Sequence, residues 1–308
     1  MQKVRLFLFE SVLEPARSRW VYPLVLRCLH FLIDSSLWTA AALASLVFFV
    51  QQTLRLPPGT LPIALIFCAA LTFYNLDRFA DAMMPDRSNE QLPAFHRSPA
   101  IVLLMLGAGV ATVVLLVQAP IAVQKVSIVG FIALAYGIPL FPRQLSHRHD
   151  RQTRWHRIKD IPGAKAWIVC ATIAYALTAI PLAYANQPFT PAAVLTAVFL
   201  LMVTGSNAHV FDIRDLNDDR KQGVPTLPVL VGIPSTRILL TGFNAVGLAG
   251  LLGGWINGWN IPSVAIVLPM LLLTLACVWT LTPETERSIY NVWVDGLLFL
   301  PALGVGLM

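Results

Sequence analysis

The sequence predicts an all-α integral membrane protein whose nine transmembrane helices form a bundle around a central apolar cavity. Two observations lead to this fold class. Only 12% of the 308 residues are charged, whereas a soluble domain carries about 25%. Long apolar runs replace the missing charge, and the stretches between them are too short for a soluble domain. Residues 1–308 are therefore predicted to form a single membrane domain.

Nine segments are long and apolar enough to cross a bilayer, which takes about 20 residues of α-helix. They are 31–50, 62–80, 100–117, 124–141, 164–185, 191–211, 236–255, 262–282 and 288–307. Residues 1–30 precede them and are predicted to lie in the cytoplasm or on the membrane surface. Spans two and six each run into an aspartate-rich segment, which predicts two similar four-helix halves followed by one extra helix.

The basic residues predict the orientation of the bundle. Of the 22 Lys and Arg residues, all but Arg55 and Lys125 fall at the N-terminus or after even-numbered spans. The positive-inside rule then places the N-terminus in the cytoplasm. This topology also explains the net charge of +6, so no nucleic-acid partner is predicted. The membrane is a plasma membrane or a photosynthetic membrane.

All 16 Asp and Glu residues also fall on the cytoplasmic side or in the helix ends nearest to it. Acids contribute little to the insertion rule, so their asymmetry indicates a functional face. Asp295, near the start of the last span, is a functional suspect because an acid within a span is costly. It is predicted to cap its helix or to pair with a loop arginine.

Two acidic segments stand out on this face. Asp77 and Asp81 end the second span and stack on one face of a helix with about 3.6 residues per turn. Asp212, Asp215 and Asp219 follow the sixth span and share a face by the same argument. Both segments therefore present carboxylates to the same side of the membrane.

The chemistry of these segments suits a diphosphate bound through Mg²⁺. Oxygen-only ligands favour Mg²⁺, which bridges one or two carboxylates to phosphate oxygens. Arg78, Arg220 and Lys221 lie in the same segments, and such side chains recognise phosphate. The alternative is a set of helix-end carboxylates paired with loop arginines. Asp218 lies off the shared face and is predicted to be solvated.

The segments resemble the two aspartate-rich motifs of the UbiA superfamily of intramembrane prenyltransferases, which lie on the second and sixth helices. The segment from Asp212 to Arg220 is a close match, as is its continuation to Gly232. In the first motif Asp77-Arg78 and Asp81 match. Phe73 and Tyr74, however, stand where the family usually has Asn and Asp, and Asn75 falls two positions late.

The resemblance implies roles for particular residues. The Mg²⁺ ligands and catalytic acids are Asp77, Asp81, Asp212, Asp215 and Asp219. The diphosphate is contacted by Arg78, Arg143, Lys159, Arg220 and Lys221, although topology alone also explains a lysine at position 159. The substrate pocket includes Asn75 and Tyr136.

His209 is added to the predicted substrate pocket from its spacing. It lies one helical turn before Asp212 on the same face, so it is placed to touch the substrate or its diphosphate. A helix-end histidine bonded to a backbone carbonyl is the alternative interpretation.

The function implied by the resemblance is Mg²⁺-dependent transfer of a prenyl group from an isoprenyl diphosphate to a lipophilic acceptor, in many family members an aromatic ring. A terpene cyclase of the same superfamily is one alternative, because it needs the same acids and captures the cation within its own chain. A cation transporter or a non-catalytic membrane protein is the other. The oligomeric state is not predicted.

Overall fold

The computed structural model describes residues 28–29, 31–82, 98–130, 139–144, 153–157 and 161–307. Most of them are helical. The helices are α1 (Leu37–Thr53), α2 (Thr60–Ala82), α3 (Pro99–Gln118), α4 (Ile121–Ser127), α5 (Lys165–Tyr184), α6 (Pro191–Arg214), α7 (Leu216–Gln222), α8 (Leu227–Ile256), α9 (Val264–Thr280) and α10 (Arg287–Gly306). Two strands, β1 (Pro139–Gln144) and β2 (Thr153–Arg157), are also present.

The helices confirm a multi-pass membrane protein. In the described part of the chain, α2, α3, α5, α6, α8 and α10 are long and apolar enough to cross a bilayer. Helices α1 and α9 are apolar but shorter, with 17 residues each. These eight helices coincide with eight of the nine predicted spans. Helix α3 exposes apolar side chains along its length, for example Leu103, Val110 and Val117, as expected of a surface that faces lipid.

The fourth predicted span, 124–141, is wrong at its C-terminal end. Residues 139–141 belong to β1, which pairs antiparallel with β2 so that Arg143 lies opposite Arg154. This hairpin is an exception to the predicted all-α fold. Pro139 and Pro142 explain the difference, because proline lacks the N–H that a helix interior needs and clashes with the preceding turn. The apolar composition of residues 124–141 predicted a helix and did not reveal the strand at its end.

Two helices begin with the same local signal, a hydroxyl residue followed by proline. The Ser98 side chain accepts a hydrogen bond from the backbone N–H of Ile101 at 3.4 Å. The Thr190 side chain accepts one from Ala193 at 3.2 Å. Such caps satisfy donors that the first helical turn leaves unpaired, and proline is well suited to the next position. They set the starts of α3 and α6.

Helix α6 is central to the bundle and packs against α5, α8 and α9, while α1 packs against α2, α5 and α10. The α1 and α6 helices meet through the rings of Phe49 and Phe199, whose centroids are 5.6 Å apart. The C-terminal ends of α2 and α6 and the start of α10 lie at one end of the bundle, where hydrogen bonds join α6 to α10, α10 to α1 and α2 to the turn before α1. The predicted placement of both acidic segments on one side is consistent with this packing.

Helix α8 has a break that its sequence explains. Gly232 adopts φ 80° and ψ 162°, a conformation that costs glycine little because it lacks a Cβ. Pro234 follows and cannot donate a backbone hydrogen bond. The chain therefore changes direction at Gly232, between the first turns of α8 and the longer part of this helix.

We expect Gly247→Ala to destabilise the bundle by about 1–3 kcal/mol, the usual cost of overpacking a core. A Cβ at Gly247 would overlap the side chain of Met202, which is fully buried on α6. Thermal unfolding of the purified protein in detergent measures the effect. Gly253→Ala in the same helix is the control, because a Cβ there meets nothing within 4 Å. Equal melting temperatures for the two variants would contradict this account.

Candidate functional site

The first acidic segment holds the turn before α1. The Arg78 guanidinium donates a hydrogen bond to the backbone carbonyl of Asp34 at 2.9 Å. The side-chain amide of Asn75 donates to the carbonyls of Ser35 at 3.0 Å and Leu71 at 2.8 Å. Asp77 itself is exposed. The segment therefore has a structural function in addition to its predicted chemistry.

The turn that these bonds hold is strained. Ser36 has a φ of 61°, a left-handed conformation that costs a non-glycine residue about 1–2 kcal/mol. The Asn75 amide nitrogen, predicted to line the substrate pocket, is committed to this turn. Its Oδ1 atom is buried and has no hydrogen-bond partner within the described ranges. Only that oxygen is left to serve the predicted pocket role.

The second acidic segment is bent. Helix α6 ends at Arg214 and α7 begins at Leu216, with Asp215 between them at φ −91° and ψ 8°. The predicted alignment of three acids on one continuous helical face is therefore interrupted. Asp212 and Asp219, on either side of the bend, are both buried. The Thr226 hydroxyl donates to Asp219 at 3.1 Å, which ties the segment to the start of α8.

Asp215 is paired with its neighbour in sequence. Arg214 donates to both carboxylate oxygens, from Nε at 2.8 Å and from Nη2 at 2.7 Å. The guanidinium also lies over the ring of Phe211, 4.7 Å from its centroid. Such two-point pairing fixes the orientation of both partners. Arg214 was not among the residues predicted for the site.

Helix α7 carries the other charges of the segment. Arg220 and Lys221 are exposed, as a role in capturing a diphosphate requires. Asp218 contacts the exposed Arg287 at 3.3 Å, so it is a surface residue paired with the start of α10. The helix ends at Gly223, which has φ 66°, and the Val224 N–H donates to the Asp219 carbonyl at 2.9 Å. This is the usual glycine-terminated cap.

His209 is fully buried on α6. Its Nδ1 atom lies 2.8 Å from the carbonyl oxygen of Gly205, and its ring packs against Trp167 with centroids 4.6 Å apart. The Nε2 atom is buried without a hydrogen-bond partner among the described residues. These contacts favour the second of the two interpretations, in which the imidazole is bonded to the backbone of its own helix.

The helices that carry the two segments share α5 as a neighbour. Helix α5 packs against both α2 and α6. Cys170 of α5 is buried and lies 3.3 Å from the carbonyl oxygen of Thr204. Tyr74, which stands where the resembled motif has an acid, packs against the hydrophobic core of the bundle.

Four predicted site residues fall wholly or partly outside the described structure. Asp81 lies in the last turn of α2 and Arg143 in β1, but only their backbones are described. Tyr136 and Lys159 lie outside the described residues. Their roles stay predictions.

The acids present fit Mg²⁺ that arrives with a diphosphate. Within the described residues, no three acidic, histidine or cysteine side chains converge as a ready metal site. Magnesium keeps several waters and is commonly held by one or two carboxylates together with substrate phosphates. The buried Asp212 and the exposed Asp77 supply the hard oxygen atoms that this mode of binding needs.

The sequence analysis gave no site role to three polar residues near the motifs, which are Arg214, Asn291 and Thr39. Arg214 donates through Nη1 to the side chain of Asn291 on α10 at 2.9 Å. Asp295, one turn further along α10, accepts a hydrogen bond from Thr39 at 2.7 Å. The expectation that Asp295 caps a helix or pairs with a loop arginine stays a prediction. The sequence signal that drew attention to Asp295 was the presence of an acid within an apolar span.

Fold and site together define a multi-pass α-helical membrane protein with two acidic, arginine-containing segments at one end of its bundle. The sequence matches the family model for the UbiA prenyltransferase family over residues 36–299. The chain therefore belongs to the UbiA family of membrane prenyltransferases.

Individual relatives are distant. The chain is 28% identical over 87 residues to digeranylgeranylglyceryl phosphate synthase from Haloquadratum walsbyi, a stretch that spans 28% of this chain and 30% of that protein. The apo structure of a UbiA homologue from Aeropyrum pernix K1 superposes with a TM-score of 0.59 at 12% identity, covering 88% of this chain and 98% of that one. A structure of digeranylgeranylglyceryl phosphate synthase superposes with a TM-score of 0.54 at 13% identity, covering 90% of this chain and 97% of that one. The structural matches support the fold.

Proposed function

We propose that this protein transfers a prenyl group from an isoprenyl diphosphate to a lipophilic acceptor within the membrane, in a reaction that depends on Mg²⁺. The observation that carries the proposal is the position of two acidic, arginine-containing segments, from α2 and α6, at one end of an apolar bundle. A diphosphate fits this polar end, and an isoprenoid chain fits the apolar helices beside it. Family membership supports the same reaction.

The chain's own residues would promote ionisation of the donor. The bond between the allylic carbon and the diphosphate oxygen breaks, and the electron pair leaves with the diphosphate. Arg78, Arg220 and Lys221 would stabilise that charge, which is the electrostatic contribution that dominates in many enzymes. When bound, Mg²⁺ would supply neutralisation of the charge that develops on the diphosphate. The acids proposed to hold it are Asp77, Asp81, Asp212, Asp215 and Asp219.

The remaining features of the proposal concern the membrane. Nine spans around a central apolar cavity would enclose the prenyl chain and exclude water from the allylic cation. The positive-inside rule favours a cytoplasmic position for the polar end. Tyr136, Arg143 and Lys159 would approach it from the segment between α4 and α5.

The acceptor has two candidate classes. An aromatic ring is the acceptor implied by the family resemblance. A glyceryl phosphate lipid is suggested by the names of two similar proteins, and it would use a hydroxyl oxygen as the nucleophile. Both classes are lipophilic, so an apolar bundle suits either.

Diphosphate release by purified protein in detergent tests the proposal. Geranyl, farnesyl and geranylgeranyl diphosphates are offered alone, with aromatic acceptors, and with glyceryl phosphate lipids, and products are identified by mass. We expect release that requires an acceptor, together with a product whose mass equals that of the acceptor plus the prenyl group minus one hydrogen, because the acceptor loses a proton when the new bond forms. Release without acceptor, yielding a hydrocarbon or an alcohol, would favour the terpene cyclase. No release with any donor, from protein that unfolds cooperatively, would contradict both readings.

A further inference from the structure

Asp215 lies at the bend between α6 and α7, in the position that precedes the first turn of α7. Its backbone has φ −91° and ψ 8°, a sparsely populated conformation in which many active-site residues are found. An aspartate in this position normally accepts a hydrogen bond from a backbone N–H of the helix that follows. Among the described residues, which include all of α7, the Asp215 side chain makes no such bond. Its carboxylate is therefore available for a different contact.

The neighbouring arginine makes that contact. Arg214 donates to both carboxylate oxygens of Asp215, from Nε at 2.8 Å and from Nη2 at 2.7 Å. Two parallel bonds set the plane of the carboxylate as well as its position. Each carboxylate oxygen can accept a further bond, and the Asp215 side chain keeps 32% of its surface exposed. The carboxylate can therefore bind a ligand without leaving its arginine.

Arg214 is itself held by α10 and by aromatic rings. Its Nη1 atom donates to the side chain of Asn291 at 2.9 Å, and the guanidinium lies 4.7 Å from the ring centroid of Phe211 and 5.8 Å from that of Tyr290. A π-helical turn over Tyr290–Val294 carries two of these partners, and such turns are frequent at functional sites. All three guanidinium nitrogens thus donate to the protein, which favours a role in orienting the carboxylate over direct capture of a diphosphate.

We propose that Arg214 is a positioning residue that orients the Asp215 carboxylate for a diphosphate bound with Mg²⁺, and that Asn291 holds Arg214 in this role. The inference rests on the proposed function, because it assumes that ligand. It adds α10 to the site through hydrogen bonds between α10, the end of α6 and the bend. Groups that bond to the ligands of a metal orient them, and changing such a group commonly costs about 10–100-fold in metal affinity or activity.

The arginine acts on Asp215 through its charge and through its geometry, and one substitution separates the two. Arg214→Lys keeps the positive charge but cannot form the two-point pair. If charge alone mattered, this variant would bind Mg²⁺ and diphosphate as the wild type does. If geometry matters, binding is weaker, because the carboxylate must then be ordered when the ligand arrives.

The experiment measures the affinity of purified protein for inorganic pyrophosphate by titration calorimetry, with and without Mg²⁺. The ratio of the two affinities reports the coupling between the ligands. We expect Arg214→Lys to lower this ratio about tenfold, and kcat for farnesyl diphosphate to recover as Mg²⁺ is raised. Asn291→Leu changes no charge and leaves the pair with Asp215 in place, so it should lower the ratio about threefold. A purely structural role would lower the fraction of active protein and leave the ratio unchanged.

Arg287→Lys is the matched control, because it makes the same substitution in an exposed arginine paired with Asp218 and should change the ratio less than about twofold. An unchanged or higher ratio in Arg214→Lys would overturn the positioning role. If that variant does not fold, an unchanged ratio in Asn291→Leu overturns it instead. Wild-type protein that binds neither pyrophosphate nor any prenyl diphosphate would overturn the proposed function itself, whereas failure of the positioning role leaves wild-type binding intact.

Discussion

Asp212→Asn should lower kcat/KM for prenyl transfer by about a thousandfold or more, in the range found when a single electrostatic contact to a transition state is removed. Asp212 is buried at the end of α6, where its charge acts over short distances with little screening by water. The asparagine has the same shape but cannot supply the negative oxygen that Mg²⁺ prefers. The measurement is diphosphate release at saturating and limiting donor concentrations.

The same substitution should leave the protein folded, because asparagine keeps the shape of the side chain and can still form hydrogen bonds. We therefore expect Asp212→Asn to unfold cooperatively in a thermal melt while activity is lost. Asp218→Asn controls for a charge change in the same segment and should stay within about twofold of wild-type activity. Wild-type turnover by Asp212→Asn would exclude this acid from the chemistry.

Chelation of Mg²⁺ should abolish diphosphate release, with residual activity below about one thousandth of the starting rate. Added Mg²⁺ restores activity, and Ca²⁺ does so poorly because it is larger and takes more ligands. Magnesium is commonly held by one or two carboxylates together with substrate phosphates, so we also expect weak Mg²⁺ binding without a diphosphate. Titration calorimetry with Mg²⁺ alone and with pyrophosphate present measures both affinities.

The calorimetric comparison distinguishes two origins for the metal. If Mg²⁺ arrives with the diphosphate, pyrophosphate raises the apparent Mg²⁺ affinity, and Mg²⁺ raises that of pyrophosphate by the same factor. Full activity after chelation would contradict the metal requirement. Tight Mg²⁺ binding by the protein alone, in the micromolar range or better, would contradict its arrival with the substrate.

Much of the fold was predictable from the sequence because lipid imposes a strong constraint. Every backbone group within the bilayer must be paired internally, so a long apolar run becomes a helix. Eight predicted spans accordingly coincide with helices, from α1 at Leu37–Thr53 to α10 at Arg287–Gly306. The prediction failed at residues 139–141, where apolar composition and helix-breaking prolines give conflicting signals.

The candidate site was predictable only in part. Position at the ends of even-numbered spans placed Asp77 and Asp212 at the same end of the bundle. The sequence could not reveal that the chain bends at Asp215, between α6 and α7, because a bend at one residue leaves the helical spacing of the acids in the sequence unchanged. Nor did it distinguish a pocket residue from a structural one at Asn75, whose amide holds a strained turn forty residues away in sequence.

The sequence by itself determined that the protein lies in a lipid bilayer, approximately where its helices fall and where its two acidic segments lie. These features depend on composition and on neighbours within one helix. Only the tertiary structure decided which residues from different helices meet. The contacts of Arg214 with Asn291, of Thr39 with Asp295 and of Gly247 with Met202 join positions distant in the chain. Such contacts depend on how helices pack side by side, which is set by the summed shape of many side chains and leaves no periodic signal in the sequence.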